Sequence, residues 1–223
     1  MVRFFEFIEK IIYINLDNRT DRKQKIEEQF ERLQIPSDKI IRFSAIRTSE
    51  GAIGCSLSHI EVLKMAKENN WKNYLVLEDD FNFIDDTEFI DKVVEHFFNS
   101  FKDWDVFNFG RGYFQQFSNT NVKYIQKVHD VSTTTAFIVN QHFYDRLLQN
   151  FIEGYENLKR EPTNQMYCID RYWRTLQNKS NWYITNPSIG YQRSGFSSIV
   201  NIDVDYIQYD KTLVFGKIEF KLE

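Results

Sequence analysis

The sequence predicts a single α/β domain with a mostly parallel central sheet flanked by helices. Three observations predict it. Short, largely apolar runs occur at residues 11–16 (IIYINL), 74–77 (YLVL) and 104–109 (WDVFNF), and such runs suit strands buried on both faces. Segments with helical spacing of apolar residues separate them. The 223 residues, 42% apolar and 27% charged, suffice for one sizeable core, and no linker, repeat or low-complexity stretch marks a boundary within 1–223.

The 11–16 strand leads into a helix over 20–33, with Ile26, Phe30 and Leu33 at helical spacing and Pro36 just beyond. Residues 40–46 read as a second strand and 54–69 as a helix. At about 100° per residue, Glu61, Lys64 and Lys67 share the water side of that helix and His59 faces the core. The 74–77 strand closes on Glu78, Asp79 and Asp80. Asp85, Asp86 and Thr87 are capping residues for a helix with the stripe Phe89, Val93, Phe97 and Phe101. The 104–109 strand precedes a polar stretch, 110–121, expected as a surface loop around Gly110 and Gly112. Residues 131–139 read as a strand and 141–151 as a helix. A further helix over 163–177 should bury Met166, Ile169, Trp173 and Leu176. The last forty residues read as β-rich and irregular.

Composition excludes several classes. Lys plus Arg number 28 against 32 Asp plus Glu, a net charge of −4, which argues against a nucleic-acid partner. No apolar run approaches the roughly 18 residues of a membrane span. Glu6 and Glu9 interrupt the apolar start, unlike a signal peptide. Cys55 and Cys168 are too few for a disulfide framework, so a reducing, cytoplasmic setting is expected. Neither cysteine has a clear His or acidic partner at nucleophile spacing, and the four histidines form no zinc pattern. Aromatics reach 17% with 21 Phe. They suit a large core, with some, such as Tyr113, Phe114 or Tyr191, free to line a ring-binding pocket.

Ligands of such sheets bind beyond the carboxyl ends of the strands. The loops 15–22, 78–83 and 108–113 should therefore share one edge. Alternation along a strand places Glu78 and Asp80 on one side and Asp79 on the other. Two buried carboxylates repel, and a divalent cation is the usual compensation; all-oxygen ligands suit Mg²⁺ or Mn²⁺. The alternative is a plain strand end. After the first strand, Asn15, Arg19 and Arg22 offer donors for a phosphate or a base, or else simply open a helix. Ser58 and His59 lie near the start of their helix, where His59 is either a satisfied core residue or a phosphate-positioning one. Asn108, Gly110 and Arg111 end the third strand, at a turn or a close ligand approach. Asp170 projects from the rim of its helix stripe, as a general base or as a salt-bridge partner of Arg171, Arg174 or Lys179.

Taken in order, IIYINLDNRTDR (11–22), IGCSLSHIEVLKMA (53–66), YLVLEDDFNF (74–83), DWDVFNFGR (103–111), TTTAFIVN (133–140) and CIDRYW around Asp170 resemble the family 25 glycosyltransferases. That family includes lipopolysaccharide sugar transferases and collagen β-galactosyltransferases. The resemblance covers about residues 11–195 and leaves 200–223 unassigned. It implies a GT-A type fold and inverting transfer of a hexose, commonly galactose from UDP-galactose. The implied acceptor is a hydroxyl of a glycan or of a hydroxylysine-type protein. The implied metal ligands are Glu78 and Asp80, for Mn²⁺ or Mg²⁺. Asn15, Arg19, Arg22, Ser58, His59, Asp79, Asn108 and Arg111 fall on the nucleotide side, and Asp170 is the implied base. The motif here is Glu-Asp-Asp rather than Asp-x-Asp, and Arg171 stands where an acid is common. The Ile- and Asn-rich composition suits a bacterial-like or viral enzyme. Two other readings stay open: a non-catalytic module that holds a nucleotide sugar, and a glycosidase with paired carboxylates.

Overall fold

The computed structural model describes residues 2–112, 115–197, 199 and 202–221. Tyr113 and Phe114 lie outside the described residues. Along the chain the strands are β1 (Lys10–Asn15), β2 (Ile40–Ser44), β3 (Asn73–Glu78), β4 (Phe81–Phe83), β5 (Val106–Asn108) and β6 (Gln115–Asn119). Then come β7 (Ile125–Val131), β8 (Ala136–Asn140), β9 (Trp182–Thr185), β10 (Gly190–Gln192), β11 (Gly195–Ser197) and β12 (Ile202–Val204). The helices are α1 (Thr20–Arg32), α2 (Gly51–Glu68), α3 (Thr87–Ser100), α4 (Tyr144–Arg160), α5 (Ile169–Tyr172) and α6 (Arg174–Gln177).

Eight strands form one sheet in the order β2-β1-β3-β8-β5-β9-β7-β6. Pairing is parallel for β1 with β2 and β3, and for β5 with β9; the other pairs are antiparallel. Only β7 and β8 therefore run against the common direction. The short pairs β4–β10 and β11–β12 stand apart from this sheet.

Both faces are covered, which is why the central strands read as unbroken apolar runs. Ile11 and Tyr13 of β1 and Leu75 and Leu77 of β3 face one core with Phe30 of α1 and Phe97 of α3. Their neighbours Ile12, Ile14, Tyr74 and Val76 face the other core with Leu63 of α2, Leu147 of α4 and Trp173. Aromatic pairs fill both. Phe97 stacks on Phe107 at 3.7 Å, and Trp173 meets Trp182 edge-on at 4.9 Å; such pairs add about 0.5–1.5 kcal/mol each beyond area burial. Asp86 caps α3 by accepting from the Phe89 N–H, as its residue type predicts.

Five segments differ from expectation. The 110–121 loop contains β6, a polar edge strand whose half-exposed residues carry no hydropathy signal. The strand read at 131–139 is two strands, β7 and β8, parted by a turn in which Thr133 has φ +86°. The helix read at 163–177 is broken, because Cys168 leaves helical backbone with ψ 143°. Met166 is accordingly 52% exposed rather than buried. The helices α2 and α4 also exceed the expected spans, α2 by starting at Gly51 and α4 by running to Arg160. Among the described residues no helix is long and apolar enough to cross a membrane.

The loop after β2 is lashed to α2. The Ser58 hydroxyl accepts from the Ile46 N–H at 2.9 Å and donates to the Gly54 carbonyl at 2.8 Å. A Cβ at Gly54 would sit 2.4 Å from the Ile46 carbonyl oxygen. Gly54→Ala is therefore expected to cost about 1–3 kcal/mol by overpacking, read as a lower urea midpoint at unchanged slope.

Candidate functional site

A cleft of about 570 Å³ opens at the carboxyl ends of β1 and β3. Its walls come from the start of α1, the 46–50 loop, the first turns of α2, the acidic turn after β3, and Gln192, Phe196, Ser197, Ile199 and Tyr206. The volume falls within the range of small-molecule sites.

The acidic turn is its centre. β3 ends at Glu78, so side-chain alternation stops there and Asp79 and Asp80 lie in a turn. The expected split of Asp79 from Asp80 does not hold: one Arg22 nitrogen donates to both, at 2.8 Å to Asp79 Oδ1 and 2.9 Å to Asp80 Oδ2. Asn15 donates to Asp79 Oδ2 at 2.7 Å. Glu78 turns toward α2, where its Oε1 accepts from the Thr134 hydroxyl at 2.8 Å and lies 3.3 Å from His59 Nε2. The C-terminal segment closes over the turn. Arg193 donates its backbone N–H to the Asp80 carbonyl at 2.8 Å and its guanidinium to the Asp79 carbonyl at 2.6 Å. Arg22 also reaches the Phe196 carbonyl at 2.8 Å.

Compensation of the acids is incomplete. Asp80 Oδ1 is buried and has no hydrogen-bond partner among the described residues. Burial, then the negative charge of Glu78, push the Asp80 carboxyl up to about 7, against the smaller pull of Arg22. Burial also acts on Glu78. There, however, the hydrogen bonds from His59 and Thr134, with the His59 and Arg22 charges, hold the carboxyl below its ordinary range. An ionised Glu78 beside a lifted Asp80 with a free buried oxygen is an oxygen donor set that fits Mg²⁺ or Mn²⁺.

Of the residues singled out in the sequence, Arg19, Arg22, Ser58, His59, Glu78, Asp79 and Asp80 line this cleft. Asn15 stands behind it as a buried link between Arg42, Asp79 and the Arg19 carbonyl. Asp170 is not among the lining residues. Its Oδ2 accepts from the Thr133 N–H at 3.2 Å, and burial raises its carboxyl, with the charge of Glu78 adding to the rise. Arg111 is buried elsewhere, donating to Ser188 and to the Thr185 carbonyl. Asn108 is fully buried at the end of β5, outside the cleft. Tyr191 also lies outside the cleft, its ring against Phe215. Sequence reasoning missed Gln192, Arg193, Phe196 and Tyr206, which no local pattern marks. It also discounted Cys55, yet Cys55 Sγ, His59 and Glu78 place their ligand atoms within 4.8 Å of one another. The i, i+4 spacing of Cys55 and His59 on α2 was the available signal.

Comparison with known proteins bears on the family and the fold. Residues 42–159, more than half of the chain, match the model of glycosyltransferase family 25, described as LPS biosynthesis protein. A protein of Acanthamoeba polyphaga mimivirus named "putative glycosyltransferase" is 36% identical over a segment covering 33% of this chain and 29% of that one. The chain thus matches under a third of that relative's length. The fold is similar to that of a glycosyltransferase involved in glycosylation of the major capsid of PBCV-1. That likeness has TM-score 0.52 and 10% identity, over 82% of this chain and 92% of the other.

The lifted Asp80 carboxyl has a measurable consequence. It rises from an ordinary 3.8 to about 7, so the folded state holds a proton that the unfolded state has lost. Stability contributed by this group is intact below about pH 4 and falls as pH climbs toward 7. In EDTA, Asp80→Asn should therefore be more stable than the parent at pH 8 by roughly 1–3 kcal/mol, with the difference gone near pH 4. Urea unfolding at the two pH values measures it.

Proposed function

Because this chain belongs to glycosyltransferase family 25, we propose that it is an inverting hexosyltransferase. Its donor is a UDP-sugar, galactose the preferred hexose, and its acceptor a hydroxyl of a glycan or protein. The observation that carries this reading is Asp80 Oδ1, a buried carboxylate oxygen in the acidic turn of the cleft with no hydrogen-bond partner among the described residues. Glu78 and Asp80 would hold Mg²⁺ or Mn²⁺. A cation bound there supplies charge neutralisation for the diphosphate leaving group.

The chain's own groups do the rest. α1 begins at Thr20, between the cleft-lining Arg19 and Arg22, and its N-terminal N–H groups, with those arginines, suit the diphosphate oxygens. Ser58 fixes the 46–50 loop that forms the opposite wall. The acceptor oxygen attacks the anomeric carbon from the face opposite the diphosphate. The bond to UDP breaks with its electron pair on the diphosphate oxygen. Asp170 takes the acceptor proton, a role for which its raised carboxyl is suited. One displacement inverts the anomeric centre.

Release of UDP from a panel of UDP-sugars, with Mn²⁺ and with EDTA, tests the reading. The expected result is metal-dependent, repeated turnover of one donor, lost in Asp80→Asn. Asp170→Asn should lower kcat roughly 10²–10⁴-fold with little change in donor KM. Tight UDP-sugar binding without turnover, in the presence of a range of acceptors, would instead identify a binding module.

A further inference from the structure

We propose that the floor of the cleft carries a second cation site, built from Cys55 Sγ, His59 Nε2 and Glu78, that selects a borderline metal of the zinc type. The site follows from the fold. Residues four apart share a helix face, so Cys55 and His59 of α2 point the same way. That face packs over the sheet side on which Tyr74 and Val76 are buried, and Glu78 emerges at the end of the same strand. The three ligand atoms lie within 4.8 Å of one another. His59 Nε2 and Glu78 Oε1 are 3.3 Å apart. Two ligands about 2.0–2.2 Å from a tetrahedral zinc stand at about that separation.

The surroundings are those of a metal-binding imidazole and carboxylate. His59 is buried, and its ring is stacked on Phe137 at 5.8 Å and flanked edge-on by Phe151 at 6.4 Å, so its orientation is fixed. The Thr134 hydroxyl holds Glu78 Oε1 in place at 2.8 Å, the kind of outer contact that orients a ligand. All three residues also line the cleft. With three protein ligands, the fourth position faces the space the substrate would enter, as in catalytic rather than structural zinc sites.

Ligand chemistry sets the selectivity. A thiolate and an imidazole favour Zn²⁺ or Co²⁺ over Mg²⁺, Mn²⁺ and Ca²⁺. Binding replaces the Cys55 S–H bond with a sulfur–metal bond and releases that proton to solvent. Glu78 is shared with the harder Glu78–Asp80 set. A zinc-type ion on the triad therefore withdraws one ligand from the set proposed for Mg²⁺ or Mn²⁺ and antagonises it.

Cobalt(II) titration of the full chain, without nucleotide sugar, tests this site independently of the transferase reading. The expected result is one equivalent bound, with four-coordinate visible bands and a near-ultraviolet thiolate-to-cobalt band. Cys55→Ser should abolish the near-ultraviolet band, and Cys168→Ser should keep it. His59→Ala should weaken cobalt at least tenfold. Excess Mg²⁺ should not displace the ion, whereas Zn²⁺ should. Cys55→Ser changes one atom, so the test stands even if His59→Ala fails to fold. Absence of the band in the parent, its survival in Cys55→Ser, or its loss in Cys168→Ser would overturn the assignment.

Discussion

Three carboxylates follow one another where β3 leaves the core, and much of the surrounding structure answers their charge. Arg22 bridges Asp79 and Asp80 while its own side chain is 16% exposed. The bare attraction of such a pair is about 4 kcal/mol, and it offsets part of the cost of burying the charges. Arg22 also holds the Phe196 carbonyl, and Arg193 grips the Asp79 and Asp80 carbonyls. The same charges thus fasten α1 and the C-terminal segment to one sheet edge. They leave Asp80 Oδ1 without a partner among the described residues, and the proposed cation would take that place.

The antiparallel strand in the middle of the sheet completes that edge. β1 and β3 end at the cleft, but β8 runs antiparallel to β3 and begins beside that strand's end. Its approach, residues 132–135, therefore reaches the same place as the end of β3. The Thr135 carbonyl accepts from the Glu78 N–H at 2.8 Å, and the Thr134 hydroxyl donates to the Glu78 side chain. The Thr133 N–H holds Asp170. One short turn positions both Glu78, of the proposed metal set, and Asp170, the proposed base.

The sequence made legible what period and burial encode. Continuous apolar runs announced β1, β3 and β5 because both sheet faces are covered. The acidic turn was legible for the same reason, since a charged triplet after such a run can only lie at a strand end. β6 was silent, because an exposed polar edge strand is held by backbone hydrogen bonds rather than by side-chain pattern. The break at Cys168 was silent too: a single residue in extended conformation ended what looked like one helical stripe. Arg193 reaches the acidic turn and Phe196 the cleft from over a hundred residues away, a proximity that no local spacing reports. Arg111 marks the converse case. Its place after a strand suggested a ligand contact, but burial against Ser188 and the Thr185 carbonyl occupies it.

The central claim is that the cleft binds a nucleoside diphosphate through a cation held by the acidic turn. Calorimetric titration of UDP in Mn²⁺ and then in EDTA, on the parent and on Asp80→Asn, tests it most directly. One site is expected, tight in Mn²⁺ for the parent and at least tenfold weaker in EDTA or in the variant. Equal affinity in all three conditions would contradict it.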